Sequence, residues 1–228
     1  MQYLYLWLNL GSLCIPLLFS FHPRLRFYKK WRSFFPALTL MMLIFISWDI
    51  VFTYKGVWGF NPKYLSGLYL FNLPLEEWLF FICIPYACIF THEALQTLNP
   101  KLKTSATVLN ILYVTLVCVL VIVLWYKYER LYTLVNFSFA LIVLGVAFNY
   151  FRELLSRFLI SYLVILIPFF IVNGTLTGYG LSEPVVWYNN AENLSIRLGT
   201  IPIEDTIYNL SMLLTVVVGM HFFESLNS

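Results

Sequence analysis

The chain has 228 residues, 61% hydrophobic and only 11% charged, with a mean hydropathy of +0.79. A soluble domain is about a quarter charged, so these values exclude a soluble globular enzyme and define an all-α integral membrane protein. The net charge of +3 comes from loop lysines and arginines and argues for no nucleic-acid partner.

The apolar runs suit membrane helices of about 20 residues at 2–21, 34–53, 74–98, 106–126, 132–150, 158–176 and 202–224. The first, MQYLYLWLNLGSLCIPLLFSF, lacks a basic leader and a small-residue cleavage site, so it reads as a retained span, not a signal peptide. After it comes HPRLRFYKKWR, with Arg24, Arg26, Lys29, Lys30 and Arg32; Lys101 and Lys103 follow the third span, and Arg152 and Arg157 follow the fifth. By the positive-inside rule these loops are cytoplasmic, which places the N-terminus outside a cell membrane and the C-terminus inside. The four cysteines (Cys14, Cys83, Cys88, Cys118) lie in apolar runs without CxxC or histidine spacing, and read as small hydrophobes, not disulfides or metal ligands. Aromatic residues make up 19% of the chain, more than two interfacial belts use, so many rings are expected to line something inside the bundle.

A repeat is visible in this order. Spans one to three run as helix, basic loop, helix, long outer segment, helix, and spans five to seven run the same way. The third helices open alike, LPLEEWLFF from Leu73 and IPIEDTIYN from Ile201. The long segments before them, VWGFNPKYLSGLYLFN and YGLSEPVVWYNNAENLSIRLGT, are too rich in turn formers and aromatics to be plain linkers. The fourth span carries no ionisable residue and has no counterpart. It divides the chain into a first unit at 1–100, a linker helix at 101–130 and a second unit at 131–228, a 3+1+3 arrangement in which one extra crossing leaves both units in the same orientation.

Each motif places two acids behind a proline: Glu76 and Glu77 after Pro74, Glu204 and Asp205 after Pro202. Proline and acids also make an ordinary helix start, where the ring sets φ and negative charge offsets the positive helix end. Two such starts in matching repeats, each with a second acid, favour a functional reading. A carboxyl group at membrane depth is tolerated when it faces a cavity or a partner, and loss of water favours its neutral form. Paired acids can therefore supply one proton donor and one acceptor. Phe80 and Tyr208 lie four residues after Glu76 and Glu204, within reach of the same helix face, and acid beside an aromatic face suits the making and shielding of a carbocation.

Asp49 in ISWDIVFT and Asn173 in FIVNGTLTG end the second and sixth spans near the level of the acids, where either also serves as a helix-end cap. Arg197 is placed to pair with Glu204 or Asp205, or to anchor at the interface. His92, Glu93, His221 and Glu224 form a second repeated set. His92 is eighteen residues beyond Pro74, roughly 27 Å along a helix, so this set belongs to the opposite membrane face.

With these motifs the chain resembles the membrane-embedded, flavin-independent lycopene cyclases, found as two small subunits or as one fused chain. That family carries Pro-x-Glu-Glu or Pro-x-Glu-Asp in each half, here PLEE at Pro74 to Glu77 and PIED at Pro202 to Asp205. NGTLTG from Asn173, PVVWY and IRLGTIPIEDTIYN are similar to the second half of the fused type. The resemblance implies a non-redox isomerisation: protonation of a terminal double bond of an acyclic ψ end group, ring closure, and proton loss to give a β ring. It implies Glu76, Glu77, Glu204 and Asp205 converging on one chamber as catalytic acids and bases, with donor and acceptor unassigned. Asp49, Asn173 and Arg197 would support them, and Trp78, Phe80 and Tyr208 would flank the cation. The implied partner is lycopene entering from the bilayer, with membrane lipids and other carotenoid enzymes as neighbours. No GxGxxG follows a strand, so nothing suggests a flavin, and no DDxxD-type motif suggests prenyl transfer; no cofactor or metal is expected. A small proton-coupled transporter with parallel repeats and a scaffold whose acids only cap helices are the competing readings.

Overall fold

A computed structural model describes residues 2–226. It contains α1 (Leu4–Phe19), α2 (Trp31–Lys55), α3 (Leu75–Leu98), α4 (Ala106–Lys127), α5 (Leu131–Tyr150), α6 (Arg152–Leu176) and α7 (Ile203–Leu226). Helices α2 to α7 are long and apolar enough to cross a membrane. Helix α1 has 16 residues, about 24 Å at 1.5 Å per residue, and is the short member of the set. The helices form two three-helix units joined by α4, in a multi-pass membrane protein.

Local chemistry explains several boundaries. Gly56 takes φ +70° at the end of α2, the left-handed closure glycine permits. Ser105 accepts the Val108 N–H and caps α4. Helix α6 starts at Arg152, six residues before the apolar run expected from 158, and Glu153 and Arg157 pair at 2.9 Å one turn apart in this added stretch.

The only strands among the described residues lie in the two long segments and in the first two residues of each motif. β1 (Trp58–Phe60) pairs antiparallel with β4 (Val186–Tyr188), with Gly59 opposite Trp187. Gly59 and Trp187 hold the same place in their units, so the two segments meet across a pseudo-two-fold axis. A Cβ on Gly59 would stand 2.3 Å from the Trp187 ring, and only glycine allows that approach. Next come two matching hairpins, β2 (Tyr69–Leu70) with β3 (Leu73–Pro74) and β5 (Arg197–Leu198) with β6 (Ile201–Pro202). The second turns at Gly199, φ +66°, and the first at Phe71, φ +56°. Each hairpin ends in the motif proline. The first N–H of each following helix is then satisfied by the residue just ahead of the hairpin, Leu75 to the Leu68 carbonyl at 2.9 Å and Ile203 to the Ile196 carbonyl at 3.0 Å.

Helices α3 and α7 occupy the centre. Within each unit the first helix packs on the third, α1 on α3 and α5 on α7, while the second helix crosses over, α2 onto α7 and α6 onto α3. Phe34, Ala37, Met41 and Phe45 of α2 and Leu213, Leu214 and Val216 of α7 are fully buried in one core. Association in lipid depends on such close packing; at Gly219 a Cβ would lie 3.0 Å from the Ala37 Cβ.

Candidate functional site

Residues next to one another on an α-helix point about 100° apart, and this separates the paired acids. Glu77 and Asp205 line one cavity of about 60 Å³ beneath the β1–β4 pair, between α1, α3, α5, α6 and α7. The Tyr5 hydroxyl donates to Glu77 Oε2 at 2.6 Å, and the Tyr132 hydroxyl donates to Asp205 Oδ1 at 2.6 Å. Asp205 Oδ2 accepts two further hydrogen bonds, from Asn173 Nδ2 at 2.8 Å and from the Tyr188 hydroxyl at 3.0 Å. Burial, with the Asp205 carboxylate beside it, pushes the Tyr188 phenol well above its usual range, so it stays a donor.

Glu76 and Glu204 do not join this chamber, contrary to the expected convergence of four acids. They turn toward the strand segments. Glu76 Oε1 accepts the Ser66 N–H at 2.6 Å; Glu204 Oε1 accepts the Leu194 N–H at 2.6 Å and the Thr133 hydroxyl at 2.8 Å. Their backbone carbonyls accept from Asn9 Nδ2 and Asn136 Nδ2, each at 2.8 Å. In both residues Oε2 is buried with no protein partner. Each glutamate thus ties the loop ten positions upstream to the start of its own helix.

The remaining expected residues divide. Phe80 and Tyr208 line the chamber and Asn173 enters it. Asp49 stands behind the wall, where Oδ1 accepts from Trp58 Nε1 at 2.6 Å and holds the indole that faces the cavity. Trp78 is outside, stacked on Phe71 at 6.3 Å, because its position on α3 faces the hairpin. Arg197 makes no ion pair with Glu204 or Asp205. Its guanidinium donates to the Thr200 carbonyl at 2.7 Å and Asn190 Oδ1 at 2.9 Å, and lies over the Tyr188 ring at 5.8 Å, since β5 directs it along the hairpin. His92, Glu93, His221 and Glu224 gather at the far end of α3 and α7, with Lys30 on Glu93 at 2.5 Å and His92 on Ser161 at 2.9 Å. The four cysteines are free. Among the described residues no cluster of His, Cys, Asp or Glu is arranged to hold a metal.

Tyr5, Asn9, Tyr132 and Asn136 were not read as site residues from the sequence. Their signal was present: YLWLN at 5–9 and YTLVN at 132–136 carry tyrosine and asparagine four apart in the first helix of each unit, on one helix face. Trp58, Phe60 and Tyr188 complete the enclosure, with Trp58 edge-on to Tyr132 at 5.1 Å and Tyr132 stacked on Tyr188 at 6.0 Å.

Fold and site together define a multi-pass membrane protein with two carboxyl groups facing one aromatic chamber across a pseudo-two-fold axis. The family model described as lycopene cyclase matches residues 2–95 and 128–223, both three-helix units without α4. The chain belongs to the lycopene cyclase family, and so to the membrane enzymes of carotenoid cyclisation. Comparison with curated proteins and with solved structures gave no match.

Proposed function

We propose that the protein is a lycopene β-cyclase, an isomerase that closes the acyclic ψ end groups of lycopene to β rings, giving γ-carotene and then β-carotene. The observation that carries this reading is the placement of Glu77 and Asp205 on one enclosed chamber walled by aromatic rings. A proton added to the terminal double bond creates a tertiary cation. The next double bond attacks it, forming the ring C–C bond and moving the charge onto a ring carbon. Loss of a ring proton restores a double bond. One proton enters and one leaves, so no redox partner is needed.

Hydrogen bonding distinguishes the two acids. Asp205 accepts from three donors, Tyr132, Asn173 and Tyr188, an environment made for a carboxylate; we assign it the role of proton acceptor. Glu77 accepts from Tyr5 alone, which leaves its other oxygen able to carry the proton, and we assign it as donor. Phe80, Trp58 and Tyr208 present rings to the cation between them. Glu76, Glu204, Asp49 and Arg197 act as positioning residues. The substrate reaches the chamber from the bilayer, in the N-terminus-out orientation set by the basic loops, where other carotenoid enzymes would deliver it.

The test is expression in cells that accumulate lycopene, with product chromatography. A red to orange-yellow shift with β-ring products is expected; unchanged lycopene would remove the assignment. Family membership leaves the transporter and scaffold readings without support.

A further inference from the structure

The two-fold relation between the units also fails along the helices below the chamber, and a second cavity adjoins the acids on one side. Helices α1, α3 and α6 enclose a second cavity of about 160 Å³ that shares Phe80, Phe169 and Asn173 with the acid chamber. Along α3 it extends from Phe80 to Thr91, roughly 16 Å at 1.5 Å per residue. Its wall is almost wholly apolar. The hydroxyls of Ser12 and Thr91 are spent on their own helices, on the Leu8 and Ala87 carbonyls at 2.7 and 2.8 Å, so neither is left to hold a headgroup.

The equivalent face of the other unit is different. A groove of about 300 Å³ among α2, α5 and α7, lined by Leu40, Ile142, Thr215 and Gly219 among others, is larger than the cleft but shares no residue with the chamber. Met212 and Val216, at the places that Ile84 and Cys88 hold on the cleft wall, are 1% and 0% exposed, where Ile84 and Cys88 each keep 8%. The cause is visible in one pair of positions. Gly219 lets α2 close on α7, its Cβ position 3.0 Å from Ala37; the residue at the same place after the α3 motif is Thr91, whose side chain stands on the cavity wall. A small residue permits close helix approach and a larger one prevents it.

We propose that the α3–α6 cleft is the single channel for the polyene chain, with the end group reaching Glu77 and Asp205 past Phe80 and Phe169, and that the α2–α7 side takes no substrate. This rests on the reading of the chamber as the cyclisation site. The occupant is an acyclic hydrocarbon polyene, because the cleft is almost wholly apolar, its two hydroxyls already donate to their own helices, and it adjoins the acid chamber.

The experiment uses the full-length protein in lipid nanodiscs, with Glu77→Gln to stop turnover, and measures lycopene retained per protein by absorbance after washing with carotenoid-free discs. Ala87→Trp, which fills the cleft, is expected to lower retention by about 10-fold or more, the consequence of overpacking a site of this width. Ala87→Leu should give a smaller loss, and carries the comparison where the tryptophan variant fails to fold. Thr215→Trp, in the opposite groove, should leave retention unchanged. Unchanged retention in both Ala87 variants, or a loss confined to Thr215→Trp, overturns the channel. Displacement of lycopene by excess phospholipid acyl chains would also overturn it, because the cleft would then be a lipid site. Lycopene held in an Ala87-sensitive manner by the Glu77→Gln protein, with no cyclic product from the protein that keeps Glu77, would support the channel and sink the cyclase assignment alone.

Discussion

Glu77 and Asp205 face one chamber from corresponding places on α3 and α7, each with a tyrosine hydroxyl from the first helix of its own unit 2.6 Å away. The likeness ends there, because Asp205 holds two more donors and Glu77 no other. A duplicated framework therefore presents two unequal acids to one chamber.

Glu77→Gln and Asp205→Asn should each lower cyclisation by about 10²- to 10⁴-fold, the usual worth of a positioned acid or base, while the purified proteins keep their melting behaviour. Product chromatography from lycopene-accumulating cells provides the measurement. Activity near wild type in either variant removes that residue from the scheme.

Glu76→Gln and Glu204→Gln should behave differently, since each retains a carbonyl oxygen for the Ser66 or Leu194 N–H. Activity should stay within about 10-fold of wild type. The alanine variants strand a buried N–H at about 1–3 kcal/mol and should lower the melting temperature. Complete loss of activity in a well-folded Glu76→Gln protein would return Glu76 to the chemistry.

The tyrosines should rank by what remains behind them. Tyr5→Phe strips Glu77 of its one donor and should cost about 1.5–3 kcal/mol in the rate, roughly 10- to 150-fold. Tyr132→Phe leaves Asp205 with Asn173 and Tyr188 and should cost less. Initial rates on solubilised enzyme decide the order, and the reverse order would contradict the roles assigned to the two acids.

One chamber allows one end group at a time. Lycopene should pass through a one-ring species that leaves and re-enters end for end, and γ-carotene should accumulate first at limiting enzyme. A time course with β-carotene appearing and no γ-carotene at any point would show both ends reacting in a single visit.

Gly219→Val should destabilise the fold by about 1–3 kcal/mol through overpacking against Ala37, read as a lower melting temperature in detergent. An unchanged melting temperature would mean that α2 and α7 lie farther apart than the 3.0 Å approach indicates.

Much of this architecture is legible along the chain. Length and apolar content select membrane helices, the basic loops separate them, and PLEE and PIED announce both the duplication and the acids, because these are local properties of composition and spacing. The strands before the motifs carry no long alternating pattern; their pairing joins residues as far apart as Trp58 and Tyr188, which no local period records.

What the tertiary structure alone decided is which acid of each pair faces the chamber and on which side of the bundle a second cavity adjoins it. A PxEE motif shows two carboxylates in sequence but not the helix rotation that sends Glu77 inward and Glu76 to the Ser66 N–H. The exchange of second helices between units, with Gly219 admitting α2 on one side and Thr91 standing at the matching place on the other, arises from packing among segments far apart in the chain. Side-chain volume acts there only once the helices have met.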